Sequence, residues 1–202
     1  MIVRSGVGLV HAEIVEREPR VRKMTDSDMP SLVVVTGPPA AGKTTIADAL
    51  AARLGWPLIA KDPLKEVLAD ALGVRGRDAS QELGVATFDV LFHVLAQLLG
   101  SGVSVIAEGN FGRAEPFAAL PPARLLQVHA DASPEAVRER LLAGRTRHPV
   151  HYDAQAADEI AARVAHGEWD PLALEGELLR VDMTSFPDVE ALADRVAALV
   201  AR

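Results

Sequence analysis

The chain of 202 residues contains no cysteine, which excludes disulfide bonds and thiolate metal sites. It also has no apolar run of the roughly 18 residues that a membrane-spanning helix needs. The N-terminus lacks the basic-then-apolar pattern of a signal peptide, so we expect a cytoplasmic protein that does not associate with membranes. The net charge of −7 argues against a broad nucleic-acid-binding surface, because such surfaces are normally basic.

The most informative feature that is present is the run Gly-Pro-Pro-Ala-Ala-Gly-Lys-Thr at residues 37–44, which matches the phosphate-loop pattern G-x-x-x-x-G-K-[ST]. The run before it, 32–36, is short, apolar and β-branched, as is typical of a buried parallel strand. The run after it, 44–54, has apolar residues at helical spacing and stops at Gly55. This order of strand, glycine loop and helix predicts a nucleotide-binding P-loop domain.

The residue types in the loop predict how it binds phosphate. Gly37 and Gly42 allow a curl in which successive N–H groups point at one anion, and the following helix adds its positive end. Lys43 is predicted to contact the β- and γ-phosphates, and the Thr44 hydroxyl is predicted to be a Mg²⁺ ligand. The predicted cofactors are therefore ATP and Mg²⁺, and the predicted nucleotide-binding residues in the loop are Gly37, Ala40, Ala41, Gly42, Lys43, Thr44 and Thr45.

The remainder of the chain alternates short apolar runs with helical patterns. Strands are predicted at 32–36, 57–60, 103–107, 124–130 and 178–183, and the intervening helices include a long one over 80–99. Such alternation predicts an α/β fold with a parallel sheet that is covered on both faces. Residues 1–29 are charged and weakly periodic, which predicts a peripheral N-terminal extension before a domain over 30–202. A docked strand over 6–15 is the alternative.

Acidic residues after two of the strands are candidates for chemistry, because ligands gather at the carboxyl ends of parallel strands. Asp62 could accept the proton of an attacking hydroxyl, or it could simply be the N-cap of the next helix. Glu108 could hold Mg²⁺ through water or bind substrate hydroxyls, with Asn110 and Arg113 extending the same rim. The chain has no clear Walker B run, in which four apolar residues precede an Asp.

A basic stretch over 138–151 overlaps a lid that is predicted at about 140–153. Guanidinium groups there could stabilise a transferred phosphate, whereas a solvated charged surface is the alternative. His148 and His151 could touch the substrate, and His93 is expected to be buried or half-buried in its apolar helix. At least one of three arginines is predicted to contact phosphate: Arg140, Arg145 and Arg147.

Four motifs together resemble the small bacterial P-loop kinases of the AAA-type ATP-binding group, which is similar to the chloramphenicol phosphotransferase, zeta toxin and polynucleotide kinase families. The resemblance covers about 32–200 and implies a three-layer sandwich with strand order 2-3-1-4-5 and a lid. The motifs are the phosphate loop, Lys61-Asp62-x-x-Lys65-Glu66, Glu108-Gly109-Asn110-Phe111 and Arg145-x-Arg147-His148-Pro149.

The resemblance implies a role for individual residues. Asp62 would be the catalytic base, Arg147 a catalytic lid arginine and Arg140 or Arg145 a further phosphate contact, while the adenine would lie near Thr184 and Ser185. We therefore expect an ATP-dependent kinase that phosphorylates a hydroxyl of a small molecule, as a monomer or homodimer. The predicted catalytic residues are Asp62, Lys43 and Arg147, and the predicted substrate-binding residues are Asp62, Glu108, Asn110 and Arg113.

Two other functions stay open at this point. A polynucleotide 5′-hydroxyl kinase would place a basic channel beside Asp62, although the acidic chain makes nucleic acid an unfavoured partner. A regulatory ATP-binding protein would bind nucleotide and a partner protein with little phosphate transfer.

Overall fold

The computed structural model describes residues 29–143, 148–152, 156–185 and 187–201. Within these ranges, strands and helices alternate as the sequence predicts, which confirms the α/β class. The predicted N-terminal extension over 1–29 lies almost entirely outside the described residues and stays a prediction. The elements are β1 (Ser31–Thr36), α1 (Lys43–Leu54), β2 (Leu58–Ala60), α2 (Lys61–Leu72), α3 (Arg77–Gly100), β3 (Val105–Glu108), α4 (Glu115–Ala118), β4 (Arg124–Asp131), α5 (Pro134–Leu142), α6 (Ala157–Ala165), β5 (Glu177–Asp182) and α7 (Val189–Val200).

The five strands form one parallel sheet in the order β2-β3-β1-β4-β5, as the family resemblance implies. β1 is central, and its register places Val35 beside Glu108 of β3 and Thr36 beside His129 of β4. Ala60 at the end of β2 also pairs with Glu108. Because all five strands are parallel, the loop after β1, the start of α2 and the end of β3 meet at one edge of the sheet.

Alternate residues of β1 enter two separate cores, which explains why the whole strand is apolar. Val33 and Val35 pack in one buried cluster that includes residues of α1 and α7. Leu32 and Val34 pack in another that includes residues of α3. Helices therefore cover both faces of the sheet, and the three-layer prediction is confirmed.

Helix α3 is the one described helix that is long and apolar enough, by length and composition alone, to cross a membrane. In this fold it is a core helix, since Leu91, Leu95 and Leu99 are buried in the second cluster. These residues recur every four positions, so position 93 lies on the opposite side of the helix. His93 is accordingly exposed, and the expectation that it is buried or half-buried was wrong.

Candidate active site

The phosphate loop occupies the turn between β1 and α1, and its backbone has the left-handed conformations that its glycines permit. Gly37 has φ +138°, and a Cβ added there would lie 2.4 Å from the carbonyl oxygen of Ala130 in β4. Gly42 has φ 96° and is the N-cap of α1. Ala40 also has a positive φ of 58°, an uncommon conformation for a residue with a Cβ. The loop therefore lies in close contact with β4 at Gly37 and turns into α1 at Gly42.

Lys43 is the first residue of α1, and its buried side chain turns back into the loop. Its Nζ donates a hydrogen bond of 2.7 Å to the carbonyl oxygen of Pro38. No side chain caps the start of α1, so its first N–H groups are available to an anion. Thr44 is exposed beside them, and its hydroxyl is a hard oxygen donor of the kind that Mg²⁺ takes. The loop therefore combines backbone donors, a cation and a metal-compatible hydroxyl.

Asp62 lies in the first turn of α2, one residue inside the helix. The N-cap of α2 is Ala60, so the alternative that Asp62 is the N-cap was wrong. The carboxylate Oδ1 is 3.0 Å from the Nζ of Lys61, and that ammonium group lies 5.9 Å from the centre of the Phe88 ring. The Asp62 side chain is a little over a third exposed, so it reaches solvent at the sheet edge.

Glu108 is the last residue of β3 and is only 5% exposed. Burial raises the pKa of its carboxyl group above the usual value, and the nearby carboxylate of Asp62 adds to this. The ammonium groups of Lys43 and Lys61 act in the opposite direction. Asp62, Glu108 and Lys43 therefore lie near enough to influence one another electrostatically, at the ends of neighbouring strands as the sequence predicts.

The loop after β3 is held by an aromatic cluster that sequence reasoning missed. The Phe111 ring lies 5.4 Å from the Phe88 ring and 5.1 Å from the Phe117 ring, and Phe92 contacts both Phe111 and Phe117. Phe111 is buried, whereas Asn110 before it is half-buried and Arg113 after it is exposed. The only available signal was that four of the five phenylalanines lie within 88–117.

Arg140 of α5 donates hydrogen bonds to backbone oxygens of two segments that are far apart in the sequence. Its guanidinium donates to the carbonyl oxygens of Met183 and Thr184, at 2.6 Å and 3.1 Å, in the segment after β5. It also donates to the carbonyl oxygen of Ala40 in the phosphate loop, at 3.3 Å. Arg140 therefore joins the phosphate loop to the segment in which the resemblance places adenine. The other two predicted phosphate contacts, Arg145 and Arg147, lie outside the described residues.

Residues 148–152 dock on α2 and α3, an arrangement that the sequence did not reveal. His148 Nε2 lies 3.1 Å from Asp70 Oδ1, and His151 Nε2 lies 2.8 Å from Glu66 Oε1. The carbonyl oxygen of Val150 accepts a 2.6 Å hydrogen bond from the Ser80 hydroxyl, which in turn accepts one from Lys65. The part of the predicted lid that is described thus contacts the helix that carries Asp62. The lid boundaries themselves stay a prediction.

A cavity of about 410 Å³ lies on the β4 side of the phosphate loop. Its walls include Pro38, His129, Asp131 and Trp169, and none of the predicted substrate-binding residues lines it. His129 is 3% exposed, and burial lowers the pKa of its imidazole. Asp131 accepts two hydrogen bonds from the guanidinium of Arg180, and the two residues form a structural ion pair at the end of β4.

Comparisons with known proteins agree with the fold. A family profile described as an AAA domain matches residues 32–166. The fold superimposes with a TM-score of 0.75 on a protein of Chloroflexus aurantiacus described as a candidate kinase, with 35% identity over 84% of this chain and 98% of the other. It superimposes with a TM-score of 0.59 on a sugar kinase from Janibacter sp. HTCC2649, at 20% identity and 85% and 95% coverage.

A curated relative adds sequence similarity without a described activity. An uncharacterized protein of Mycobacterium bovis is 28% identical over 152 residues, which cover 69% of this chain. The chain spans only 30% of the length of that relative.

Proposed function

The chain belongs to the AAA-domain family of P-loop proteins, and from this premise we propose that it is an ATP-dependent kinase that transfers the γ-phosphate to a hydroxyl of a small molecule. The observation that carries the proposal is the meeting of Asp62 and Glu108 with the phosphate loop at one edge of the sheet. Transfer to a hydroxyl group requires a base that accepts the hydroxyl proton, and a carboxylate beside the phosphate loop can supply it. We further propose a cytoplasmic monomer or homodimer.

The phosphate loop would hold the nucleotide. Its backbone N–H groups and the start of α1 bind the phosphates, and Lys43 would exchange its bond to the Pro38 carbonyl for one to a phosphate oxygen. Thr44 would hold Mg²⁺, which neutralises phosphate charge when it is bound. Arg140 would keep the phosphate loop at a fixed distance from the segment after β5, near which the adenine is proposed to bind, since it donates hydrogen bonds to the backbone of both. Arg147 and Arg145 are proposed as further phosphate contacts.

Asp62 would act as the base. It takes the proton of the acceptor hydroxyl as that oxygen forms a bond to the γ-phosphorus, while the bond from the γ-phosphorus to its bridging oxygen breaks and ADP leaves. Lys43 stabilises the negative charge that develops on the transferred group. Lys61 Nζ lies 3.0 Å from Asp62 Oδ1, and this contact would hold the carboxylate in position. Glu108, Asn110 and Arg113 are proposed to bind the rest of the acceptor.

The test is the substitution Asp62→Asn, which keeps the size of the side chain and removes the base. We expect kcat to fall by about 10²-fold or more, with ATP affinity nearly unchanged. The assay is ADP release from ATP and Mg²⁺ in the presence of candidate acceptors, together with a separate ATP-binding titration. Asp70→Asn is the matched control, because Asp70 lies two turns further along α2 and pairs with His148. Retained turnover in Asp62→Asn would exclude Asp62 as the base.

A further inference from the structure

The cavity of about 410 Å³ on the β4 side of the phosphate loop has no role in the proposed phosphate transfer. It lies between the loop, the end of β4 and the end of α6, and Pro38, Asp131 and Ala165 line it from these three elements. Its volume falls in the range of pockets that hold small organic ligands. Because one of its walls is the phosphate loop, a molecule bound there would lie beside the nucleotide.

A second wall of the cavity is the side chain of His129, whose imidazole has an unused hydrogen-bonding atom. The side chain is 3% exposed, and its Nδ1 atom is buried without a hydrogen-bond partner among the described residues. Burial lowers the pKa of the imidazole, which is therefore neutral at neutral pH. Nε2 lies 3.5 Å from Asp131 Oδ1, an oxygen that can only accept, so the single proton belongs on Nε2. Nδ1 is then a buried acceptor without a donor, and a donor group on a ligand would remove that cost.

The charges that line the cavity indicate which kind of donor it would take. Two carboxylates line it, Asp131 and Asp170, and no lysine or arginine is among the described lining residues. Asp131 is held by the guanidinium of Arg180 through two hydrogen bonds. Asp170 is exposed, and within the described ranges its carboxylate makes no hydrogen bond or ion pair and acts on His129 and Arg180 only through space. The lining thus carries one carboxylate charge that no direct contact balances.

Two cations lie near the cavity without lining it, and both are engaged elsewhere. Lys43 donates to the carbonyl oxygen of Pro38, and in the proposed nucleotide complex it would turn to a phosphate oxygen. The guanidinium of Arg163 lies 4.9 Å from the centre of the Trp169 ring and pairs with Glu168. The phosphates of a bound nucleotide would add negative charge on the loop side. A cationic ligand is therefore attracted from two sides, whereas an anionic one is repelled from both.

Apolar side chains form the remaining walls and suit the body of a ligand rather than its polar group. They belong to Pro38, Ala132, Pro134, Val164, Ala165 and Trp169.

We propose that this cavity binds a small organic amine, in which an ammonium group is attached to an apolar body. The ammonium group donates a hydrogen bond to His129 Nδ1 and is attracted by the carboxylate of Asp170. One ammonium group has three N–H donors and one positive charge, so it satisfies both groups at once. The apolar body packs against Trp169 and the neighbouring apolar walls. This site is separate from the one that contains Asp62 and Glu108, and it does not depend on the chain being a kinase.

The experiment compares probes that share a body and differ in their polar group. Benzylamine, benzyl alcohol and benzoate form one series, and isopentylamine, isopentanol and isovalerate form the other. Binding to the full chain is followed by nuclear magnetic resonance of the probe. We expect at least one amine to bind with a dissociation constant of about 1 mM or lower, about tenfold more tightly than its alcohol and carboxylate. An alcohol or carboxylate that matches its amine in both series would overturn the proposal, and so would the absence of binding by both amines.

Three variants test which groups hold the amine. Asp170→Asn removes the charge and keeps the side-chain size, so amine affinity should fall about fivefold or more while alcohol affinity stays unchanged. His129→Phe keeps a ring and removes the acceptor nitrogen, so it should also weaken amine binding. Asp89→Asn is the matched control, because Asp89 is an exposed carboxylate on α3 that does not line the cavity. An equal loss in Asp89→Asn would indicate general attraction to an acidic surface and overturn the assignment. If His129→Phe does not fold, as judged by its melting curve, Asp170→Asn still carries the test.

Repeating the titration with Mg²⁺ and a non-hydrolysable ATP analogue separates this site from the nucleotide site. Amine affinity should be unchanged or higher, because the bound phosphates add negative charge beside the cavity. Loss of amine binding when the analogue saturates the protein would show that the nucleotide itself occupies the cavity, and would overturn the proposal. Since every measurement here is of binding, a failure of ADP release would contradict the kinase and leave this proposal standing.

Discussion

We expect the substitution Gly37→Ala to be among the most damaging single changes in the phosphate loop, for two separable reasons. The first is backbone conformation, because Gly37 has φ +138°, which side-chain-bearing residues rarely adopt. The second is contact, because the new Cβ would lie 2.4 Å from the Ala130 carbonyl oxygen. That oxygen belongs to the backbone of β4, so the overlap cannot be relieved by a side-chain rotation.

The magnitude follows from adding the two effects. The unfavourable φ costs about 1–3 kcal/mol, and forcing an extra methyl into occupied space costs about 1–3 kcal/mol. The free energy of unfolding should therefore fall by about 2–6 kcal/mol. Gly55→Ala is the matched control, because Gly55 has φ +66° and open space around the added Cβ. It should show only the conformational cost, about 1–2 kcal/mol.

The assay is urea unfolding of both variants and the parent, combined with an ATP-binding titration. Gly37→Ala should lose at least about 1 kcal/mol more than Gly55→Ala, with unchanged m values. It should also weaken ATP binding, because relief of the overlap displaces the loop N–H groups, whereas Gly55 lies at the far end of α1 and should not affect binding. Equal losses of stability, or full ATP affinity in Gly37→Ala, would refute the reasoning.

Three further predictions concern neighbouring elements. The pKa of His129 is lowered in the fold, so the unfolded chain binds a proton at this residue before the folded protein does as the pH falls below about 6.5. The free energy of unfolding should therefore decrease between pH 7 and pH 5, and urea unfolding of His129→Gln should show a smaller decrease over the same range. Ser133→Ala removes the hydroxyl that accepts from the Ala136 N–H at the start of α5, so urea unfolding should show a loss of about 1 kcal/mol, which Ser133→Asp should restore. Arg140→Lys keeps the charge, but a lysine cannot donate to the Ala40, Met183 and Thr184 carbonyl oxygens together. An ATP titration should therefore show weaker binding than in the control Arg138→Lys, since Arg138 pairs with Asp158 on the surface. Unchanged ATP affinity in Arg140→Lys would remove Arg140 from the nucleotide site.

Local signals in the sequence were sufficient for the fold class. The apolar, β-branched run before the phosphate loop indicated a strand buried on both faces, and β1 is buried along its whole length. The start of α5 is likewise set locally, because the Ser133 hydroxyl accepts from the Ala136 N–H and a proline follows Ser133. The predictions that failed locally, His93 and the N-cap role of Asp62, both depended on exact helix phase and starting point, which neighbouring elements decide.

The sequence by itself therefore determined the phosphate loop and the order of strands and helices, because loop conformation and hydrophobic periodicity depend on residues a few positions apart. Only the tertiary structure decided which distant groups meet. Arg140 reaches the carbonyl of Ala40 across 100 positions, and His151 reaches Glu66 across 85. The burial of Glu108 likewise depends on which strands flank β3. Such contacts are products of packing, and no short stretch of sequence records them.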